Sequence, residues 1–139
     1  MRRIALLCVA AGAIACGSSS DNSVEPRARG VEGVYALMSV NGQPTPLLLG
    51  QNDTATLELL ESKMTLNTDA SFKEIYLLRL TAPSGVQTQS DTLSGTFTHV
   101  GATVVFQPSD GSGAYQMEVT DERTLTENDP GYVLVYRRP

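Results

Sequence analysis

The chain has 139 residues, with 15 acidic and 10 basic side chains and a net charge of −5. This length suits one domain rather than two. The modest, scattered negative charge argues against nucleic acid as a partner, because nucleic-acid binding needs a basic face. It also argues against electrostatic binding to anionic lipid headgroups.

The first sixteen residues, MRRIALLCVAAGAIAC, combine a positive start with an apolar run. Arg2 and Arg3 precede an uncharged segment of 12 residues that extends from Ile4 to Ala15. A membrane-spanning helix needs about 20 apolar residues, so this run is too short for a permanent anchor and is typical of a signal peptide. A buried N-terminal helix is disfavoured because the run has no polar face. We therefore expect residues 1–15 to be a signal peptide.

The end of this run, Ala13-Ile14-Ala15-Cys16, resembles the lipobox of bacterial lipoproteins. The resemblance implies that the peptide is cut before Cys16 and that the cysteine sulfur carries a diacylglyceryl group, which attaches the mature chain to the membrane. Ala13 stands where the family prefers Leu, and ordinary signal cleavage nearby is the alternative. Gly17 rather than Asp follows the cysteine, which resembles the pattern of envelope lipoproteins destined for the outer membrane.

Residues 16–30 are predicted to be the lipidated cysteine and a disordered tether. The segment GSSSDNSVEPRARG is mostly small and polar, so it cannot bury enough apolar surface to offset the entropy lost on ordering. The two cysteines of the chain, Cys8 and Cys16, both precede residue 31. The domain is therefore expected to lack disulfides and thiol chemistry.

From residue 31 onward, short apolar runs alternate with turn residues. Val31–Val40 ends at Asn41-Gly42, a strong hairpin dipeptide. In the run Ala55–Thr68, Leu57 and Leu59 would lie on one face of a regular strand, but Met64 and Leu66 would lie on the opposite face. A strand with a β-bulge near Leu60–Ser62 reconciles the two halves, and we favour it over a short helix across Thr54–Ser62.

The remaining runs also have the alternation of half-buried strands. Asp69-Ala70 occupies a hairpin-turn position, although Gly would adopt a positive φ there more easily than Ala. In the strand that follows, Phe72, Tyr76, Leu78 and Leu80 share one face. Further strands are predicted around Leu93–Phe97, Thr103–Phe106, Tyr115–Val119, Arg123–Thr126 and Tyr132–Tyr136.

These runs predict an all-β domain over residues 31–139, a single antiparallel meander of about eight strands. Because a meander must hide its edges, we expect it to close into a small barrel, and a two-sheet sandwich is the alternative. The segments Gly33–Leu37, Val40–Pro44, Met64–Phe72, Ser94–Phe97 and Leu134–Arg137 resemble small lipocalin-like lipoprotein domains. The resemblance implies a lipocalin-like barrel and says little about activity.

Catalytic and metal-binding motifs are absent from the sequence. There is no H-E-x-x-H, G-x-S-x-G, Walker or G-x-G-x-x-G pattern. The lone histidine, His99, is expected to be a solvated or rim residue. Asp121, Glu122, Glu127 and Asp129 bracket one short strand, where a calcium site is conceivable, but charged turns are the favoured interpretation. We expect no metal, no cofactor and no enzymatic activity.

The sequence leaves three functional hypotheses. The favoured one is a non-catalytic module that holds a small apolar ligand, with Tyr35, Tyr76, Phe97, His99, Tyr115 and Tyr136 as candidate binding residues. The second is a structural or interaction module with a filled core that contacts another envelope protein. The third and least favoured is a hydrolase that uses carboxylates. A hollow barrel would favour the first, and a cleft with two converging carboxylates would favour the third.

The lipobox predicts the effect of replacing Cys16 with serine. Cys16→Ser removes the sulfur that would accept the lipid, and anchoring by acyl chains depends on about 0.8 kcal/mol for each buried CH₂ group. We expect the variant to leave the membrane fraction with its domain still folded. Fractionation followed by circular dichroism checks both points. A Cys16→Ser protein that stays in the membrane fraction would contradict the lipobox interpretation.

Overall fold

The computed structural model describes residues 30–139, and the predicted signal peptide, Cys16 and most of the tether lie outside the described residues. The described part contains nine strands and no helix, so it has no helix of the length and apolarity that crossing a membrane requires. The strands are β1 (Gly33–Val40), β2 (Leu47–Gln51), β3 (Thr56–Leu66), β4 (Ser71–Ala82), β5 (Gly85–Val100), β6 (Thr103–Pro108), β7 (Tyr115–Asp121), β8 (Thr124–Asp129) and β9 (Tyr132–Arg137).

Eight of these strands form a closed antiparallel barrel, which confirms the predicted fold class. From β3 to β9 each strand pairs with the next. β1 closes the ring, because its first half pairs with β3 and its second half with β9. The extra strand β2 pairs with the first part of β3, on the same edge that β1 uses further along. Closure leaves few unpaired backbone groups at the sheet edges.

The bulge predicted near Leu60–Ser62 is confirmed. In the pairing with β4, Leu59 faces Leu78 and Glu61 faces Leu77, so Leu60 is the extra residue. The bulge changes the parity of the strand, which allows Leu59, Met64 and Leu66 all to be buried in the interior. The alternative of a short helix in this segment is wrong.

The hairpin turns follow the local sequence closely. Asn41 and Gly42 both have positive φ, 51° and 75°, as a two-residue turn of type I′ requires. The Asn41 side chain accepts a hydrogen bond from the Val133 amide at 2.7 Å and donates one to the Gly131 carbonyl at 3.2 Å. The turn after β1 is thereby joined to the turn between β8 and β9, at one end of the barrel.

The two ends of the barrel differ, and we name them by their contents. The closed end holds the first described residues and the end of β9. There the Arg138 guanidinium lies over the Tyr35 ring, 5.0 Å from its centroid, and the Tyr35 hydroxyl donates to the Val31 carbonyl at 2.8 Å. The opposite, open end lies beside β2 and the turns that follow β1, β6 and β8. An apolar core fills the half of the barrel beside the closed end, and it includes Leu66, Phe72, Phe97, Val104, Phe106, Met117 and Leu125.

A strained turn residue provides a test of the fold. Ala70 has a φ of 63°, a left-handed conformation that side chains with a Cβ adopt at a cost of roughly 1–2 kcal/mol. After subtracting the greater chain entropy of glycine, we expect Ala70→Gly to raise the free energy of unfolding by about 0.5–1 kcal/mol. Denaturant titration measures the change.

Ala102 is the matched control for this substitution. It is exposed in the turn between β5 and β6 and does not have a positive φ. Ala102→Gly should lower the free energy of unfolding by about 0.4–1 kcal/mol through chain entropy alone. An equal loss of stability in both variants would contradict the strained conformation of Ala70.

Candidate functional site

The open half of the barrel contains a cavity of about 570 Å³. This volume falls within the range of small-molecule sites, roughly 300–1,000 Å³. Its apolar wall consists of leucine and valine side chains from β1, β2, β3, β5 and β9, and exposed residues such as Leu49 and Asp129 place its mouth at the open end. The apolar lining residues are Leu37, Val40, Leu47, Leu49, Leu59, Leu93 and Leu134, with Ala114 at the rim.

A buried carboxylate, Glu74 of β4, lies on the floor of this cavity and is 1% exposed. Its Oε1 accepts hydrogen bonds from the hydroxyls of Ser62 and Tyr136, each at 2.5 Å. Its Oε2 accepts a bond from the Tyr76 hydroxyl at 2.7 Å. Three hydroxyl donors from β3, β4 and β9 thus replace the water that this carboxylate loses on burial.

The tyrosines around Glu74 keep their protons and donate hydrogen bonds to it. Burial is the main cause that raises the pKa of Tyr76 and of Tyr136 above the ordinary value, and the neighbouring Glu74 carboxylate raises both further. The phenols therefore keep their protons at neutral pH. Each ring packs in the barrel interior while its hydroxyl reaches the carboxylate, which is the usual arrangement of a buried tyrosine.

A second buried carboxylate, Glu127 of β8, lines the same cavity and is 7% exposed. Burial, followed by the charge of Asp129, raises its pKa to about 7, and the charge of Glu74 contributes to the same shift. Within residues 30–139 its one side-chain hydrogen bond comes from the Tyr132 hydroxyl at 3.3 Å. That hydroxyl lies closer to Asp129, at 2.8 Å. Glu127 therefore has spare capacity to accept hydrogen bonds.

Tyr115 of β7 also lines the cavity, and its hydroxyl is unsatisfied. Its ring stacks on Phe106 with centroids 4.8 Å apart and an interplanar angle of 8°. Its hydroxyl oxygen is buried and has no hydrogen-bond partner within the described residues. Burial, followed by the charges of Glu74 and Glu127, raises the pKa of this phenol. A buried hydroxyl without a partner costs about 1–3 kcal/mol unless a ligand or water meets it.

The candidate binding residues predicted from the sequence divide into two groups. Tyr76, Tyr115 and Tyr136 line the cavity. Tyr35 and Phe97 belong instead to the buried apolar core. His99 pairs with Val104 near the closed end, away from the cavity, and its buried Nε2 has no partner in the part of the chain that the structure describes.

The sequence prediction missed Ser62 and Glu74 and assigned Glu127 to a charged turn. The sequence nevertheless contains a signal for the two glutamates, because each lies on the face of its strand that otherwise carries apolar residues. Glu74 lies between Phe72 and Tyr76, and Glu127 lies two residues after Leu125. Within residues 30–139, no group of three or more His, Cys, Asp or Glu side chains is arranged to hold a metal ion.

Comparisons with known proteins leave the family open. No protein-family model matches the chain, and a search of curated proteins finds no significant match.

The raised pKa of Glu127 predicts how stability depends on pH. The Glu127 carboxyl binds its proton more tightly in the folded protein than in the unfolded chain. Protonation of Glu127 therefore stabilises the fold fully below about pH 4.5, and this stabilisation is lost as pH rises through 7. Relative to Glu127→Gln, which cannot titrate at this position, the wild type should lose up to about 3 kcal/mol of unfolding free energy over that window. Urea titrations of both proteins at several pH values measure the difference. Identical pH profiles would contradict the shifted pKa.

Proposed function

We propose that this chain is a lipid-anchored protein of the bacterial cell envelope whose barrel domain holds a small apolar or amphipathic ligand without chemically changing it. The lipobox-like segment that ends at Cys16 supports the anchor and the envelope location, with the outer membrane as the favoured destination. The cavity in the open half of the barrel is the single observation that carries the binding role.

Several properties of the cavity favour ligand binding over a purely structural role. A module that only presents its outer surface would be expected to fill its interior, since close packing stabilises a core. Here the closed half is packed with aromatic rings, whereas the open half keeps a cavity with both apolar walls and polar groups. Apolar walls with a few convergent polar groups are the usual composition of small-molecule sites.

A carboxylate-dependent hydrolase is the second candidate, because Glu74 and Glu127 line one cavity. The pKa of Glu127, about 7, suits a general acid or base at neutral pH. Glu74 is less suitable for such a role, since both of its oxygens already accept hydrogen bonds. Turnover of p-nitrophenyl esters or glycosides that disappears in Glu127→Gln would establish this candidate in place of the binding role.

Native mass spectrometry of residues 28–139 tests the binding role. The closed barrel lies entirely within this segment, so it is expected to fold alone when exported to a bacterial periplasm and purified without detergent. We expect an additional mass that disappears on denaturation. Leu93→Trp places a large ring in the cavity and should abolish that mass.

The matched control replaces an exposed residue with the same bulky ring. Val86 is 64% exposed on the hairpin between β4 and β5 and does not line the cavity. Val86→Trp should keep the additional mass. Retention of the mass by both tryptophan variants would place the ligand elsewhere, and its absence from the wild type across several bacterial hosts would count against a binding role.

A further inference from the structure

The charges that line the cavity have one sign. Glu74, Glu127 and Asp129 all contribute to its wall, and no Lys, Arg or His side chain of residues 30–139 does. A cavity built only for an apolar molecule has no need of carboxylates, and burying them is unfavourable unless they are compensated. The lining therefore indicates a ligand with a polar part as well as an apolar part.

The three carboxylates are not equally available to a ligand. Glu74 accepts three hydroxyl hydrogen bonds and is satisfied within the protein. Glu127 is also buried, yet it receives only the 3.3 Å bond from Tyr132. Asp129 lies beside it at the exposed rim. The carboxylate oxygens that can still accept hydrogen bonds from a ligand are therefore on β8, at the open end.

Aromatic side chains line the same space, and one of them has an unpaired hydroxyl. Four tyrosines line the cavity, and the buried hydroxyl of Tyr115 has no partner among the described residues. Tyrosine rings attract cations through their negative faces, and this attraction grows when water is excluded. A ligand ammonium could donate hydrogen bonds to Glu127 while its charge is stabilised by the rings. The four tyrosines are Tyr76, Tyr115, Tyr132 and Tyr136.

We propose that the cavity selects amphipathic cations, molecules with a primary-amine head group on an apolar body. The head group lies between Glu127 and Asp129 near the mouth, and the apolar body lies against leucines such as Leu59 and Leu93. This inference rests on the proposed binding role and adds the chemical class of the ligand.

Protonation of Glu127 should oppose such a ligand. With a pKa of about 7, Glu127 carries its proton at pH 6 in most molecules. An alkylamine remains cationic throughout this range, as the lysine amine does. Its affinity should therefore fall as pH falls from 8 to 6. Within residues 30–139, the titratable groups that act on Glu127 are carboxylates and phenols, and no cationic side chain lines the cavity beside them. These groups are Glu74 and Tyr76 on β4, Tyr115 on β7, Asp129 on β8 and Tyr132 on β9.

Calorimetric titration with three probes of equal chain length tests the proposal. Octylamine, 1-octanol and octanoate share an apolar body and differ only in a cationic, neutral or anionic head group. We expect octylamine to bind residues 28–139 about tenfold more tightly than the other two at pH 8, a difference that corresponds to about 1.4 kcal/mol. Octylamine should bind about tenfold more weakly at pH 6, since one pKa unit below the midpoint leaves about a tenth of Glu127 ionised.

Two variants assign the head-group contact. Glu127→Gln keeps the size of the side chain and should lower octylamine affinity about tenfold, lower 1-octanol affinity much less and abolish the pH effect. Glu118→Gln is the matched control, because Glu118 is exposed on β7 and does not line the cavity. It should bind all three probes as the wild type does. Circular dichroism shows whether each variant is folded.

The outcomes separate this inference from the proposed function. Equal binding of the three probes would overturn the selection of cations while leaving the binding role intact. Tightest binding of octanoate would also overturn it, and would indicate that protonated Glu127 donates to an anion. Failure of all three probes to bind, together with a clean protein mass after purification, would overturn both. Tight octylamine binding that persists in Glu127→Gln would assign the contact to another group and refute Glu127 as the head-group site.

Discussion

Burying a carboxylate inside a small barrel is unfavourable unless other donors replace its lost water, and Glu74 shows how this domain meets that constraint. Its hydrogen-bond partners are Ser62 on the neighbouring strand β3, Tyr136 on the more distant strand β9 and Tyr76 on its own strand. Because strands β3 and β9 are the two that β1 joins, the polar cluster lies where the barrel closes. The strands that close the barrel therefore also supply hydroxyl groups that satisfy the Glu74 carboxylate.

This cluster also explains why the interior has two halves. On its closed side, Phe72 meets Phe106 edge to face with centroids 5.1 Å apart, and the core is filled with side chains. On its open side, the hydroxyl network and the second carboxylate interrupt that aromatic packing. Space at the open end is thus a consequence of where the polar residues stand.

The sequence predicted most of the fold because alternation and turn residues are local signals. The Leu60 bulge, the Asn41-Gly42 turn and the left-handed Ala70 could all be inferred from neighbouring residues. Two features could not. The first half of β5 is exposed and, apart from Val86, has no apolar side chain, so it shows no alternation. Among the described strands, β2 pairs only with part of β3. Of the candidate binding residues, Tyr76, Tyr115 and Tyr136 line the cavity. Glu74 was not among the candidates, because alternation along a strand shows which face a residue lies on but not which hydroxyl groups of other strands will meet it.

The position at which the described chain begins has a consequence for access to the cavity. The described chain begins at Gly30 beside Arg138, at the end opposite the cavity mouth, with the Arg138 side chain donating to the Gly30 carbonyl at 3.3 Å. Any attachment that precedes Gly30 would therefore join the barrel at its closed end. The predicted tether and the cavity mouth would then lie at opposite ends of the barrel, so the tether would not obstruct the mouth.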